Sequence, residues 1–153
     1  MASGLEKYLN GLAERLNATE VRVGFFPEST YGDDGTPVAT VAYANEYGVP
    51  ENNQPSRPFF RNAIDKHKDE WAKSISNGLA SGHDANDVLE GVGAKVQMDV
   101  RDSITELMEP ALSASTIRAR RTRKVRRNES TKPLIDTGVM YESVNYEVID
   151  DQG

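Results

Sequence analysis

The sequence predicts an α+β domain: a small antiparallel sheet packed with an N-terminal helix and a long helical hairpin, with a basic, mobile arm near the C-terminus. Three observations lead there. Two long stretches, from Pro58 to Gly78 or Gly82 and from Asp84 or Asn86 to Met108, repeat apolar residues every three or four positions, as amphipathic helices do. Two short stretches, Glu20–Phe26 and Val144–Ile149, alternate apolar and polar residues, as half-buried strands do. Between the second long helix and the closing strand, Thr116–Lys132 carries Arg118, Arg120, Arg121, Arg123, Lys124, Arg126, Arg127 and Lys132 against Glu129 alone.

Taken in order, Leu5, Tyr8, Leu9, Leu12 and Leu16 mark a first helix, with Ser3 as its cap. The first strand follows, with Val21, Val23 and Phe25 on one side, and Pro27 stops it. Glu28–Thr36, with Tyr31-Gly32-Asp33-Asp34-Gly35, reads as an exposed turn. Val38-Ala39-Thr40-Val41-Ala42-Tyr43 could equally be a strand, and helix is preferred because Pro37 and Gly48 bracket the run as start and stop. Val49–Pro58 holds three prolines and no periodicity and is a loop.

Pro58 opens the first long helix, whose stripe is Phe59, Phe60, Ala63, Ile64, His67, Trp71, Ile75 and Leu79. The short turn Ser81-Gly82-His83-Asp84 sets the second long helix antiparallel to it, and Pro110 halts that helix. Arg118–Ser130 has only Ala119 and Val125 as apolar residues, too few to bury, and is expected to be a mobile arm. Thr137–Ser143 predicts a short helix, and Val144, Tyr146 and Val148 share one face of the last strand.

The 153 residues suit one domain, 1–153, with a basic arm or loop at 116–132. No stretch has the roughly eighteen consecutive apolar residues of a membrane span, and the first residues lack the pattern of a secretory leader, so no membrane association is expected. Cysteine is absent, which removes thiolate catalysis, disulfides and Cys-based zinc sites. The eight cations and one anion of the arm make +7 in a chain of net −6, so the remainder carries −13. A basic strip on an acidic body attracts nucleic acid or the acidic body of a neighbouring copy by the same Coulombic force.

Chemistry-bearing patterns are few. Leu134-Ile135-Asp136-Thr137-Gly138 matches the nucleophile loop of aspartic proteases, in which two carboxylates share a proton. Such a protease needs an all-β scaffold with flaps, so the better reading is that Asp136 or Thr137 caps the helix that follows. Gly91-Val92-Gly93-Ala94-Lys95 lacks the spacing and the Ser or Thr of a phosphate loop; its small residues are expected to admit a neighbouring helix. His67 and His83 have no further ligands for zinc, and Glu28 with Asp33-Asp34 lacks the alternating oxygens of a calcium loop. The expectation is a protein without cofactor or metal and without catalytic residues.

The arginine run has three readings: docking against a neighbouring subunit or protein, contact with DNA phosphates, or a solvated loop. Docking is preferred, because no aromatic, Asn or Gln interleaves the cations before Asn128.

Three segments, in order, resemble the virion morphogenesis family of tailed phages and prophages, the group of minor tail protein Z-like and Mu G-like neck proteins. They are Gly35-Thr36-Pro37-Val38 with Val41-Ala42-Tyr43-Ala44-Asn45-Glu46-Tyr47-Gly48; Pro55-Ser56-Arg57-Pro58-Phe59-Phe60-Arg61; and Ser115-Thr116-Ile117 with Lys132-Pro133-Leu134-Ile135-Asp136-Thr137-Gly138 and Ser143-Val144. The resemblance runs from Val21 to about Val148 and lies in order and spacing rather than in any one motif. It implies a structural virion protein at the head-tail neck, a tail-completion or tail-terminator protein assembled in the host bacterial cytoplasm. The implied assembly is a homo-oligomeric ring, commonly a hexamer, that meets the head-tail connector and tail tube proteins and lies near packaged DNA. It further implies that Arg57, Pro58, Phe59 and Phe60 anchor a loop-to-helix corner and that Asp136 and Thr137 cap the last helix. The arginine-rich insertion is longer and more basic than the family pattern.

Overall fold

The computed structural model describes residues 3–32, 34–124 and 127–150. Along them run α1 (Gly4–Arg15), β1 (Ala18–Gly24), α2 (Val38–Tyr47), a 3-10 turn (Pro50–Asn52), α3 (Phe59–Ala80), α4 (Ala85–Glu106), α5 (Ala114–Thr122), α6 (Val139–Ser143) and β2 (Asn145–Asp150). The architecture is the expected α+β one, a small antiparallel sheet packed against helices.

α4 is the centre of the fold. It is capped by the Asp84 carboxylate, which accepts the Asp87 N–H at 2.9 Å, and it buries Leu89, Val92, Val96, Val100 and Ile104 along one stripe. α3 packs antiparallel against it, with Val88 beside Gly78 near the turn and the Ser103 hydroxyl donating to the Phe59 carbonyl at the far end, 2.6 Å. On its other side lies the sheet. β1 and β2 pair with Val21 opposite Val148 and Val23 opposite Tyr146, so the alternation in both strands turns these four residues toward the helix. Phe59, Val38, Val100, Ile104 and Val144 are the most deeply buried side chains, and Phe25 meets Phe59 edge-on at 6.1 Å.

Several expectations differ in detail. Gly93 admits the sheet rather than a helix: a Cβ there would lie 2.4 Å from Tyr146 Cδ2 and 2.9 Å from Val21 Cγ2. The close helix-helix approach is made instead by Gly78. Pro58 occupies the cap position rather than the first helical one, α3 beginning one residue later, whereas α2 begins at Val38 as expected. Val144 precedes β2 and is fully buried at the end of α6.

Two differences matter for function. α1 forms as expected, with a reciprocal Ser3–Glu6 capping box, yet buries none of its residues, so its apolar stripe is not packed on the sheet. The segment expected to be a mobile arm begins as helix α5, with Ser113 as its cap and Arg120 buried. Among the described residues no helix is long and apolar enough to cross a membrane.

Candidate functional site

The arginine run folds into two sets of side chains facing opposite ways. On the inner side, Arg120 is only 8% exposed. Its Nη1 donates to the carbonyls of Lys132 and Ile135 at 3.0 and 3.2 Å, and its Nη2 to the carbonyl of Pro133 at 3.0 Å. Arg123, one turn on, is bidentate on Asp136, with Nη1 on Oδ2 at 3.1 Å and Nη2 on Oδ1. Arg120 Nε lies 3.7 Å from the same carboxylate. Asn128 completes the clasp by donating to the carbonyls of Ile135 and Asp136 at 2.7 and 2.8 Å.

A charged side chain survives burial only with such partners, and here a guanidinium's fixed fork of donors is matched by carbonyls and one carboxylate. Burial pushes the Asp136 carboxyl up, but the Arg123 hydrogen bonds, the Arg120 and Arg123 charges and Asn128 together hold it below the ordinary carboxylate range. Burial and the neighbouring Arg123 lower Arg120, opposed by Asp136. The described part of the segment is held by an anion from the same chain, thirteen residues beyond Arg123.

Asp136 is therefore not a helix cap. The N-cap of α6 is Gly138, at φ +84°, with no side-chain cap bond; Thr137 Oγ1 receives only the Val139 N–H at 3.5 Å. Nor does Asp136 have the character of an aspartic-protease nucleophile, which shares a proton with a second carboxyl, since two arginines keep it ionised.

On the outer side, Arg118, Arg121, Lys124 and Arg127 are exposed. Arg118 and Arg121 sit three residues apart on α5, flanking a shallow depression with Ala114 and Ile117. Arg127 Nε donates to the Arg123 carbonyl at 2.9 Å, which fixes where the chain leaves the helix. Arg126 lies outside the described residues.

The corner at Arg57–Phe60 has the expected structural role. Arg57 is 6% exposed; its Nε donates to the Pro110 carbonyl at 2.9 Å and its Nη2 to the Ala111 carbonyl at 3.3 Å. Burial, then the Arg120 charge, lowers its pKa. Pro58 precedes α3, Phe59 is 1% exposed in the core, and Phe60 packs half-buried beside it at 6.2 Å. What the sequence reading missed is the group that caps α3. Glu46, on α2 and 6% exposed, accepts the N–H groups of Phe60 and Arg61 at 2.9 and 3.1 Å and the Arg61 Nε at 2.8 Å.

Comparison with protein-family models, curated proteins and solved structures finds no match.

Among the described residues no group of three or more His, Cys, Asp or Glu is placed to hold a metal. His67 stacks on Trp71, 6.0 Å between centroids, near the buried Asp99, which accepts from Trp71 Nε1 at 2.7 Å and Lys95 Nζ at 2.6 Å. That cluster joins α3 to α4.

Apolar side chains also stand exposed on α1 and α2. On α1 and at its C-cap, Leu5, Tyr8, Leu9 and Leu16 are between 45% and 67% exposed. On α2, Tyr43 and Tyr47 are 67% and 53% exposed, their rings 4.7 Å apart, with the Arg61 guanidinium over Tyr47 at 4.7 Å. The signal for α1 was its amphipathicity; nothing local said the stripe would find no partner within the chain.

Proposed function

We propose that this protein is a non-enzymatic structural component of a tailed-phage particle, joining copies of itself into a ring at the head-tail neck, as a tail-completion or tail-terminator protein. The observation that carries the reading is α1: twelve residues with a well-formed cap, an apolar stripe, and no buried residue in the isolated subunit. Exposed apolar surface of this kind marks an interaction site. The resemblance in order and spacing of the three segments supplies the setting, and the outward cations of α5 on an otherwise acidic chain favour contact between copies.

The test is composition of the particle. Mass spectrometry of purified virions should find the chain in multiple copies, and negative-stain images of the concentrated protein should show rings. Its absence from virions would sink the proposal.

A second reading rests on Arg118, Arg121, Lys124 and Arg127, whose exposure suits contact with DNA phosphates. In that case duplex binding falls steeply with added salt and is lost when the four are changed to Gln. No binding at low salt would remove it.

A further inference from the structure

α1 and the groove that suits it lie toward opposite ends of one long helix. The C-terminal end of α1 is tied to the turn of the α3–α4 hairpin: Arg15 Nη2 donates to the Leu79 carbonyl at 2.7 Å, and Asn17 Oδ1 accepts the Asn86 N–H at 2.9 Å. At the start of α3, Phe25, Tyr43, Tyr47, Phe60 and Ile64 line an open apolar groove of about 280 Å³. Ile64 and Leu79 are separated along α3 by about 22 Å of helix, whereas α1 itself is about 18 Å long. In its own subunit the stripe stands exposed rather than seated in the groove.

We infer that α1 of one copy seats in the α2–α3 groove of the next, Leu5, Tyr8, Leu9 and Leu16 packing against Tyr43, Tyr47, Phe60 and Ile64. This rests on the self-assembly reading above and names its joint. Stripe and groove are different surfaces, so the contact is head-to-tail, and repetition closes a ring or extends a filament. An apolar helix face laid in an aromatic-lined groove is a recurrent mode of association.

The area explains why assembly would be cooperative. Four side chains on α1 and its C-cap, about half exposed or more, offer on the order of 400 Å², within the range of the largest patch on a monomer. Pairing with the groove buries about twice that, short of the ~1,200–2,000 Å² of a standard stable interface. One contact between two copies is therefore weak. In a closed ring every copy gives one helix and receives one, so each subunit makes two contacts and none is left open.

The test uses the full chain in two single variants, Leu9→Glu in the helix and Ile64→Glu in the groove, with circular dichroism to show that both are folded. Sedimentation over a range of concentrations should show the unaltered chain associating and each variant alone monomeric, its association weakened about 100-fold or more. A mixture of the two keeps one intact stripe and one intact groove, so at the highest concentrations, where a single weak contact populates, it should form a one-to-one dimer that grows no further. The chain has no cysteine, so Leu9→Cys mixed with Ile64→Cys should give a disulfide-linked dimer that neither gives alone.

If Ile64→Glu associates as the unaltered chain does while Leu9→Glu does not, α1 pairs elsewhere and the inference is wrong. Association unchanged in both variants overturns the joint but leaves self-assembly intact. Two monomeric variants whose mixture shows no dimer at high concentration, together with no cross-link between the Leu9→Cys and Ile64→Cys chains, overturn it as well. An unaltered chain that stays monomeric yet is found in virions overturns the joint and spares the neck reading; one that is monomeric and absent from virions overturns both.

Discussion

The Glu46 carboxylate on α2 accepts the backbone N–H of Phe60 in the first turn of α3, at 2.9 Å, from fourteen residues away. The first N–H groups of a helix have no partner within it, and a carboxylate there gains from the helix dipole as well as from hydrogen bonds. With only Pro58 at the cap position, which offers no side-chain acceptor, α3 depends on this distant group.

Glu46→Ala should therefore destabilise the chain by about 2 kcal/mol, the order of a lost cap plus donors left short of a partner. Glu46→Gln, which keeps an acceptor, should lose less. Urea unfolding followed by circular dichroism measures both, and equal losses would show that a neutral acceptor cannot stand in for the carboxylate.

Asp136→Asn removes the charge on which Arg123 and Arg120 converge. Because the Asp136 side chain is 39% exposed, solvent screening limits the cost to about 1–2 kcal/mol, less than for a fully buried pair. The sharper readout is local. Hydrogen exchange should accelerate in α5 and around residues 132–136 while α3 and α4 keep their protection, and unchanged protection in α5 would show that the clasp does not order it.

Gly93→Ala and Gly91→Ala differ by two positions on α4 and should move stability in opposite directions. At Gly93 the new methyl meets Tyr146 and Val21, so the sheet must shift, at about 2 kcal/mol. At Gly91 nothing lies within 4 Å, and alanine in a helix interior stabilises by about 0.5–1 kcal/mol. Thermal melts of the two variants decide it.

Acid should act through Asp99 and Asp136. For Asp99, burial raises the carboxyl, but hydrogen bonds from Lys95 and Trp71 and the charges of His67 and Lys95 bring it below its ordinary value; Asp136 is also lowered. The unfolded chain then takes up protons before the folded chain does. The stabilisation is complete above the unfolded carboxylate value of about 3.9 and disappears as pH falls through the lower folded values. Urea midpoints measured from pH 6 to pH 2 should drop steeply below about 4, and the Asp99→Asn/Asp136→Asn pair should flatten that drop. An identical slope in the double variant would place the acid sensitivity elsewhere.

The elements whose signal is local were legible before any coordinates. The stripes of α3 and α4 are three-and-four repeats along their own helices, and Ser3 and Asp84 cap the helices they precede, so each can be read within a few residues. The alternation of Val21 and Val23, and of Tyr146 and Val148, likewise specified which face of each strand turns inward. At the Arg57–Phe60 corner, Arg57 and Phe59 are buried where the loop meets α3.

What the linear chain left open depends on partners far along it. Arg120 reads as one cation in a solvated run until the carbonyls of Lys132, Pro133 and Ile135 and the carboxylate of Asp136 close around it, and that is also why Asp136 is not a cap. Glu46 reads as one polar residue of α2 until α3 starts beneath it. Gly93 reads as a helix contact until the sheet lies over it. Sequence alone determined which segments would be helix or strand and which face would be apolar, because periodicity and caps are properties of neighbouring residues. Only the tertiary structure decided which charges are spent inside, Arg120 and Arg123, and which apolar face is left open, that of α1, because burial is a property of the whole fold.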